Sequence, residues 1–253
     1  MIAAFAIRTA VARILRGATL AGMRVHEAAL APVDQLDQGA PFIVVNTEDQ
    51  AAKEIDGCDL GGGERVIDLV IEIGSGHLGE VELPNGGTGP MVFIEATDTS
   101  KEAVIDLIVA QITAALAAPQ GPWGDVLSAY RAGVEKIEIK RGIANEGGER
   151  FAFRQIVHRC EVVGEPIGAV EPGTPAALFL AAMRGDADLA PAADLVEATI
   201  AGMAPPEGYD WRAFGIGDGT AHVIGMGPLI APSDRNPGEL PEVLVEATPE
   251  RDP

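Results

Sequence analysis

The sequence predicts an α+β fold, an α/β sandwich whose mixed, largely antiparallel sheet is flanked by two helices and followed by a C-terminal helical and Pro/Gly-rich extension. Three observations predict it. In RVIDLVIEI (65–73), Ile67, Leu69, Ile71 and Ile73 alternate with Val66, Asp68, Val70 and Glu72, as in a strand with one apolar face. In TDTSKEAVIDLIVAQITAALAA (97–118), Val104, Ile105, Ile108, Ile112 and Leu116 recur at helical intervals, and Thr99 and Glu102 open the run with the spacing of a capping box. Between 134 and 166 two extended stretches flank the turn chemistry of NEGGER (145–150), which predicts an antiparallel hairpin.

The elements follow in chain order. Ile7, Val11, Ile14 and Leu15 are spaced for an amphipathic helix over 3–16, with Arg8, Arg13 and Arg16 on other faces and Gly17 as its stop. MRVHEA (23–28) begins an extended segment, and PFIVVNTE (41–48) suits the middle of a sheet. After RVIDLVIEI, the Gly-rich stretch 74–90 is too long for a tight turn and predicts a projecting loop or a short hairpin. GPWGDVLSAY (121–130) reads as a short helix or turn packed by Trp123. VEKIEIKRG (134–142) then alternates Ile137 and Ile139 with Lys136, Glu138 and Lys140, so that one face is solvated or meets a partner. RFAFRQIVHRCEVVGEP (150–166) returns as the second strand of the hairpin.

Past Val170 the character changes. GTPAALFLAAMRGDADLAPAADLVEATIAGM predicts one or two Ala-rich helices split at 185–191, followed by a Pro/Gly-rich stretch in which EVLVEA (242–247) is a candidate strand. The sequence thus predicts two parts: an α/β domain over 1–166 that folds alone, and an extension over 167–253.

Composition narrows the functional classes. A net charge of −20 argues against free nucleic acid as the main ligand, because phosphates are held by clustered Lys and Arg. Residues 1–120 carry 17 acidic and 7 basic side chains and 167–253 carry 14 and 4, whereas 121–166 carry 7 of each. The middle segment is therefore locally neutral between two acidic ones, as suits a face that docks onto an acidic copy of the same chain. Cys58 and Cys160 are too few for a disulfide framework and lack metal-site spacing, which points to a reducing compartment; a single bridge between them stays open. Arginines at 8, 13 and 16 interrupt the apolar N-terminus and favour a helix over a signal peptide. No other stretch reaches the roughly 18 apolar residues of a membrane span.

Catalytic and cofactor motifs do not emerge. There is no phosphate-binding G-x-x-x-x-G-K-[ST] loop, GIGDGT (215–220) lacks dinucleotide-binding spacing, and Ser75 in IGSGH is not in a nucleophile elbow. His26, His77, His158 and His222 are dispersed, and pairs such as Glu80 and Glu82 are uninformative in so acidic a chain. The reading is of a non-enzyme with no catalytic, cofactor or metal residues, an enzyme with an unrecognised site being the remote alternative.

AIRTAVARILRGATLAGMRVHEAALAPVDQL (6–36), PFIVVNTED (41–49), ERVIDLVIEI (64–73), ATDTSKEAVIDLIVAQITAAL (96–116) and RFAFRQIVHRCEV (150–162) together resemble the tail terminator proteins of long-tailed bacteriophages, the minor tail protein U-like family. The resemblance covers roughly 5–165, in the family's order, and none of its motifs is catalytic. It implies a virion protein of the tail neck, assembled in the host cytoplasm, that forms a homohexameric ring on the head-proximal end of the tail tube, stops polymerisation and offers a surface to the head–tail connector. The implied partners are other copies of the chain, the tail-tube protein and the connector or neck protein, with no membrane and no sequence-specific nucleic acid, genome DNA passing through the ring. Another neck or tail component, a connector or a tube subunit, is the alternative. The 74–90 stretch and the extension depart from shorter members. Within a ring, the candidate subunit-interface residues are Lys136 and Lys140 on the polar face of one strand, Arg154 on the next, and Arg141 and Arg150 beside the turn, gathered at one end of the hairpin.

Overall fold

The computed structural model describes residues 2–27, 40–53, 64–82, 88–94, 98–141 and 152–203. The compact unit that contains them runs from Met1 to Glu207. Its fold is α+β, with a six-stranded, mostly antiparallel sheet and five α-helices.

Helix α1 (Ile2–Leu15) stops where the sequence predicts: Gly17 takes φ 72°, and its N–H meets the Gly22 carbonyl at 2.8 Å. Strand β1 (Val25–Glu27) pairs in parallel with β2 (Pro41–Lys53). The 19-residue β3 (Glu64–Glu82) serves two partnerships in succession. Its first part, through Ser75, lies between β2 and β6 (Phe153–Val162), and its last seven residues pair instead with β4 (Thr88–Ile94). Of the two sequence readings of 74–90, the hairpin is the one observed, and its tip lies outside the described residues. The change of partner begins beside Gly74, where a Cβ would sit 2.7 Å from the Phe42 ring packed over it. Strand β5 (Arg131–Arg141) pairs only with β6 among the described strands, which makes the main order β1-β2-β3-β6-β5 and leaves β5 at its edge.

One face of the sheet presents Ile43, Val45, Ile67, Leu69, Ile71 and Ile73, all fully buried. Over this face lie α1 and α2 (Thr99–Ala117), the latter inserting Ile105, Ile108, Ile112 and Leu116. The cap of α2 is Asp98, whose carboxylate accepts the Lys101 N–H at 2.9 Å; Thr99, the expected cap of a capping box, is instead the first helical residue, and the Glu102 carboxylate accepts from Arg154 at 2.8 Å. Helix α3 (Gly121–Tyr130) resolves the helix-or-turn alternative as a helix and packs on α1.

The residues beyond 166 continue the same packing. Helix α4 (Pro175–Gly185), a 3₁₀ turn (Ala190–Ala192) and α5 (Ala193–Ile200) match the predicted split helices. Phe179 of α4 is fully buried, its ring edge-on to Phe5 at 5.3 Å and near Trp123 (6.2 Å) and Tyr130 (6.4 Å). With α4 against it, α1 is enclosed on most sides: Ala3, Ala4, Ala6, Ala10 and Ala12 are buried as well as its larger side chains. The interval that sequence composition marks as a boundary, 166–173, is half-buried or exposed surface chain, and it falls within the compact unit Met1–Glu207. The candidate strand at 242–247 lies outside the described residues.

Candidate interaction surface

An edge strand must present something other than a bare apolar face, or it pairs indiscriminately. Alternation on β5 divides its side chains between two faces, with irregularities of register near Gly133 and Glu135. Lys136, Glu138 and Lys140 point to one face. The Lys136 ammonium meets Glu138 at 2.6 Å and Lys140 meets the same carboxylate at 3.8 Å, while both lysine side chains stay mostly exposed. The hydrogen bond and charge of Lys136, aided by Lys140, hold the Glu138 carboxyl below its ordinary range. At Glu135, the carboxylate takes an ion pair from Arg159 at 2.9 Å.

The opposite face of β5 carries Val134, Ile137 and Ile139, exposed to 40%, 55% and 55%. Their neighbours across the ladder, Cys160, His158 and Ile156, are buried. The difference arises because α2 covers β3 and β6 but stops short of β5. A groove of about 440 Å³ remains between the strand and the end of α2, bordered by Thr113, Leu116, Ile137, Ile139, Ile156 and His158. Arg131 closes one end by donating to the Leu116 carbonyl at 3.1 Å. Burial, reinforced by the Arg131 charge, pushes the His158 imidazole below its ordinary pKa, and its Nδ1 has no hydrogen-bond partner among the described residues.

The predicted interface residues do not form one cluster. Lys136 and Lys140 share an exposed face and lie as the sequence implies. Arg141 is exposed on the other face, opposite Arg154 in the ladder. Arg154 is inward: only 4% of its side chain is exposed, and its guanidinium spans Glu102 (2.8 Å) and Asp106 (2.6 Å) of α2. A strand read as alternating does not reveal which face its arginine takes until the covering helix is placed. Arg150 lies outside the described residues.

No family model matches the chain, and no curated protein matches it.

Two exposed apolar features escape the sequence reading. Leu20, 47% exposed, sits on the turn after α1, where its N–H donates to Gln111 of α2 at 2.8 Å; Leu107, 56% exposed, lies one helical turn back on that flank. Leu107 departs from the inward series Ile105, Ile108, Ile112 and Leu116, and that departure was the available signal. A second cleft of about 390 Å³ is bordered by Tyr130, Pro166, Ile167, Val170, Pro175 and Ile200; burial raises the Tyr130 phenol well above its ordinary range. Cys160 is buried in the sheet, its thiol pushed up to about 11 by burial. Among the described residues, no group of three or more His, Cys, Asp or Glu is placed to hold a metal ion. No single described helix is long and apolar enough to cross a membrane.

Proposed function

We propose that the chain is a tail terminator of a long-tailed bacteriophage, a structural subunit of which six copies close into a ring on the head-proximal end of the tail tube. The ring occupies the growing face of the tube, stops further addition of tube subunits and offers its outer side to the connector, with the genome passing through its centre. In a closed ring each copy presents two unlike surfaces to its neighbours.

The observation that carries the reading is β5. It is an eleven-residue edge strand with exposed isoleucines on one face and lysines on the other, on a chain of net charge −20. Such a strand suits completion by another protein chain, with opposite charge setting orientation and encounter rate. The order of the sequence motifs that resemble those of tail terminators supports the same role. A helix-dominated fold would favour a head–tail connector, and the sheet-centred fold lends that alternative no support. Electron microscopy of particles assembled without this protein tests the proposal: tails of irregular, excessive length beside tailless heads are expected, and tails of normal length joined to heads would overturn it.

A further inference from the structure

Two exposed apolar patches lie on different sides of α2. Val134, Ile137 and Ile139 belong to the terminal strand β5, beside the flank of α2 that carries Thr113 and Leu116. Leu20 and Leu107 belong to the flank that carries Gln111, beside the turn leading into β1, which ends the opposite side of the sheet order. Both patches are built on ordered backbone: β5 is held along β6, and the Leu20 turn is tied to α2 through Gln111. On the face of β5 that carries Ile137 and Ile139 the charged residues are Arg131 and Arg141, while Lys136, Glu138 and Lys140 lie on the other face and Glu135 pairs with Arg159, so this face is a locally cationic strip on a chain of −20.

We infer that these patches are the two halves of one head-to-tail contact, in which the Leu20/Leu107 patch of one copy seats against the Ile137/Ile139 face and groove of the next. The occupant is a second copy of this chain. Its net negative charge complements the cationic strip, and it necessarily brings the second apolar patch at equal concentration. The groove beside β5, about 440 Å³, has room for a few aliphatic side chains and not for a folded element. A contact between unlike patches propagates around a ring, whereas a contact of β5 with its own copy would stop at a dimer. The inference rests on the ring reading and names the surfaces that would form it.

Mixing of complementary variants of the full chain tests it. One variant carries Ile137→Glu and Ile139→Glu, the other Leu20→Glu and Leu107→Glu; all four positions are exposed, and circular dichroism checks that each variant is folded. By analytical ultracentrifugation at about 100 µM, where a micromolar contact is nearly saturated, wild-type chain should associate and each variant alone should be monomeric. Their mixture should form a one-to-one dimer, since one intact patch remains on each partner. A monomeric wild type, a mixture that stays monomeric, or a Leu20/Leu107 variant that still self-associates would overturn the pairing. Should either double variant misfold, Ile139→Lys and Leu107→Lys replace them in the same mixing experiment. Tail length is read separately: overlong tails without the protein, together with a monomeric mixture, would leave the terminator reading standing and remove this pairing alone. Normal tails with a mixed dimer would do the reverse.

Discussion

Arg13 donates through Nε to the Asp186 carboxylate at 2.6 Å, joining the first helix to the residue that follows α4. The Arg13 side chain is only 9% exposed, and Glu27 (3.5 Å) and Asp188 (3.4 Å) complete its acidic surroundings. A buried guanidinium is stable only while its partners are present. At the other end of α1, the Ile2 N–H donates to Glu165 Oε2 at 2.7 Å, an anion placed where the helix leaves its first amides unsatisfied. Both ends of α1 are thus completed by residues that come after β6.

The first prediction follows from that dependence. A chain ending at residue 166 keeps Glu165 but loses Asp186, Asp188 and Phe179, so it should be insoluble or molten, with the rings of Phe5 and Tyr130 uncovered. In the full chain, Phe179→Ala should lower stability by about 3–5 kcal/mol, measured by denaturant unfolding. A sharp, native-like transition for the truncated chain would show that α4 only decorates the core.

The comparison of sequence with structure divides along physical lines. Period placed β3 and α2, because each is a long run whose apolar residues repeat at one interval over a buried face, and two extended stretches about the turn chemistry of NEGGER placed the β5–β6 hairpin. Gly17 and the break between α4 and α5 were legible because chain termination is local chemistry. Partner-dependent features were not. Arg13 reads as a charge off the apolar face of α1 and Arg154 as a candidate interface residue, since nothing local states that Asp186 or Glu102 will meet them. The exposure of Ile137 and Ile139 depends on where α2 ends relative to β5, a tertiary fact. The composition change near 170 marks a switch from sheet to helix within the compact unit Met1–Glu207.

Arg154 provides the second prediction. Replacing it with Ala leaves Glu102 and Asp106 facing each other across a cavity; because Asp106 is 62% exposed and well solvated, the loss should be about 2 kcal/mol rather than that of a fully buried pair. Asp106→Asn should change stability by less than about 1 kcal/mol, since Glu102 keeps the guanidinium paired. Equal losses in the two variants would show that Asp106, not Glu102, anchors Arg154.

The third prediction concerns pH. Burial lowers the imidazole pKa of His158 and, with less enclosure, of His26, each helped by a neighbouring arginine, Arg131 and Arg16 respectively. Below the unfolded histidine pKa of about 6.5 the unfolded chain binds protons that the folded chain refuses. The contribution of these groups to stability is therefore present above that pH and declines as pH falls through the depressed folded values. Denaturant midpoints should drop between pH 7 and 5. In His158→Gln the drop should be shallower, and an unchanged slope would show that His158 is not the group that titrates.

The last prediction returns to the lysines. Lys136 and Lys140 flank Glu138 on an exposed face, so Lys136→Glu with Lys140→Glu would place three carboxylates in a row on the edge strand. Surface ion pairs of this kind are worth about 0–1 kcal/mol each, so the folded state should survive, with an unfolding midpoint close to that of the parent. Association is affected differently, because a cationic strip on an acidic chain steers encounter, and reversing it makes both approaching surfaces negative. The double variant should therefore give a reduced infectious titre with an unchanged circular dichroism spectrum, and raised salt should partly restore the association rate of the purified chain. Unchanged titre with unchanged fold would mean that this face is merely solvated and that the apolar face of β5 acts without it.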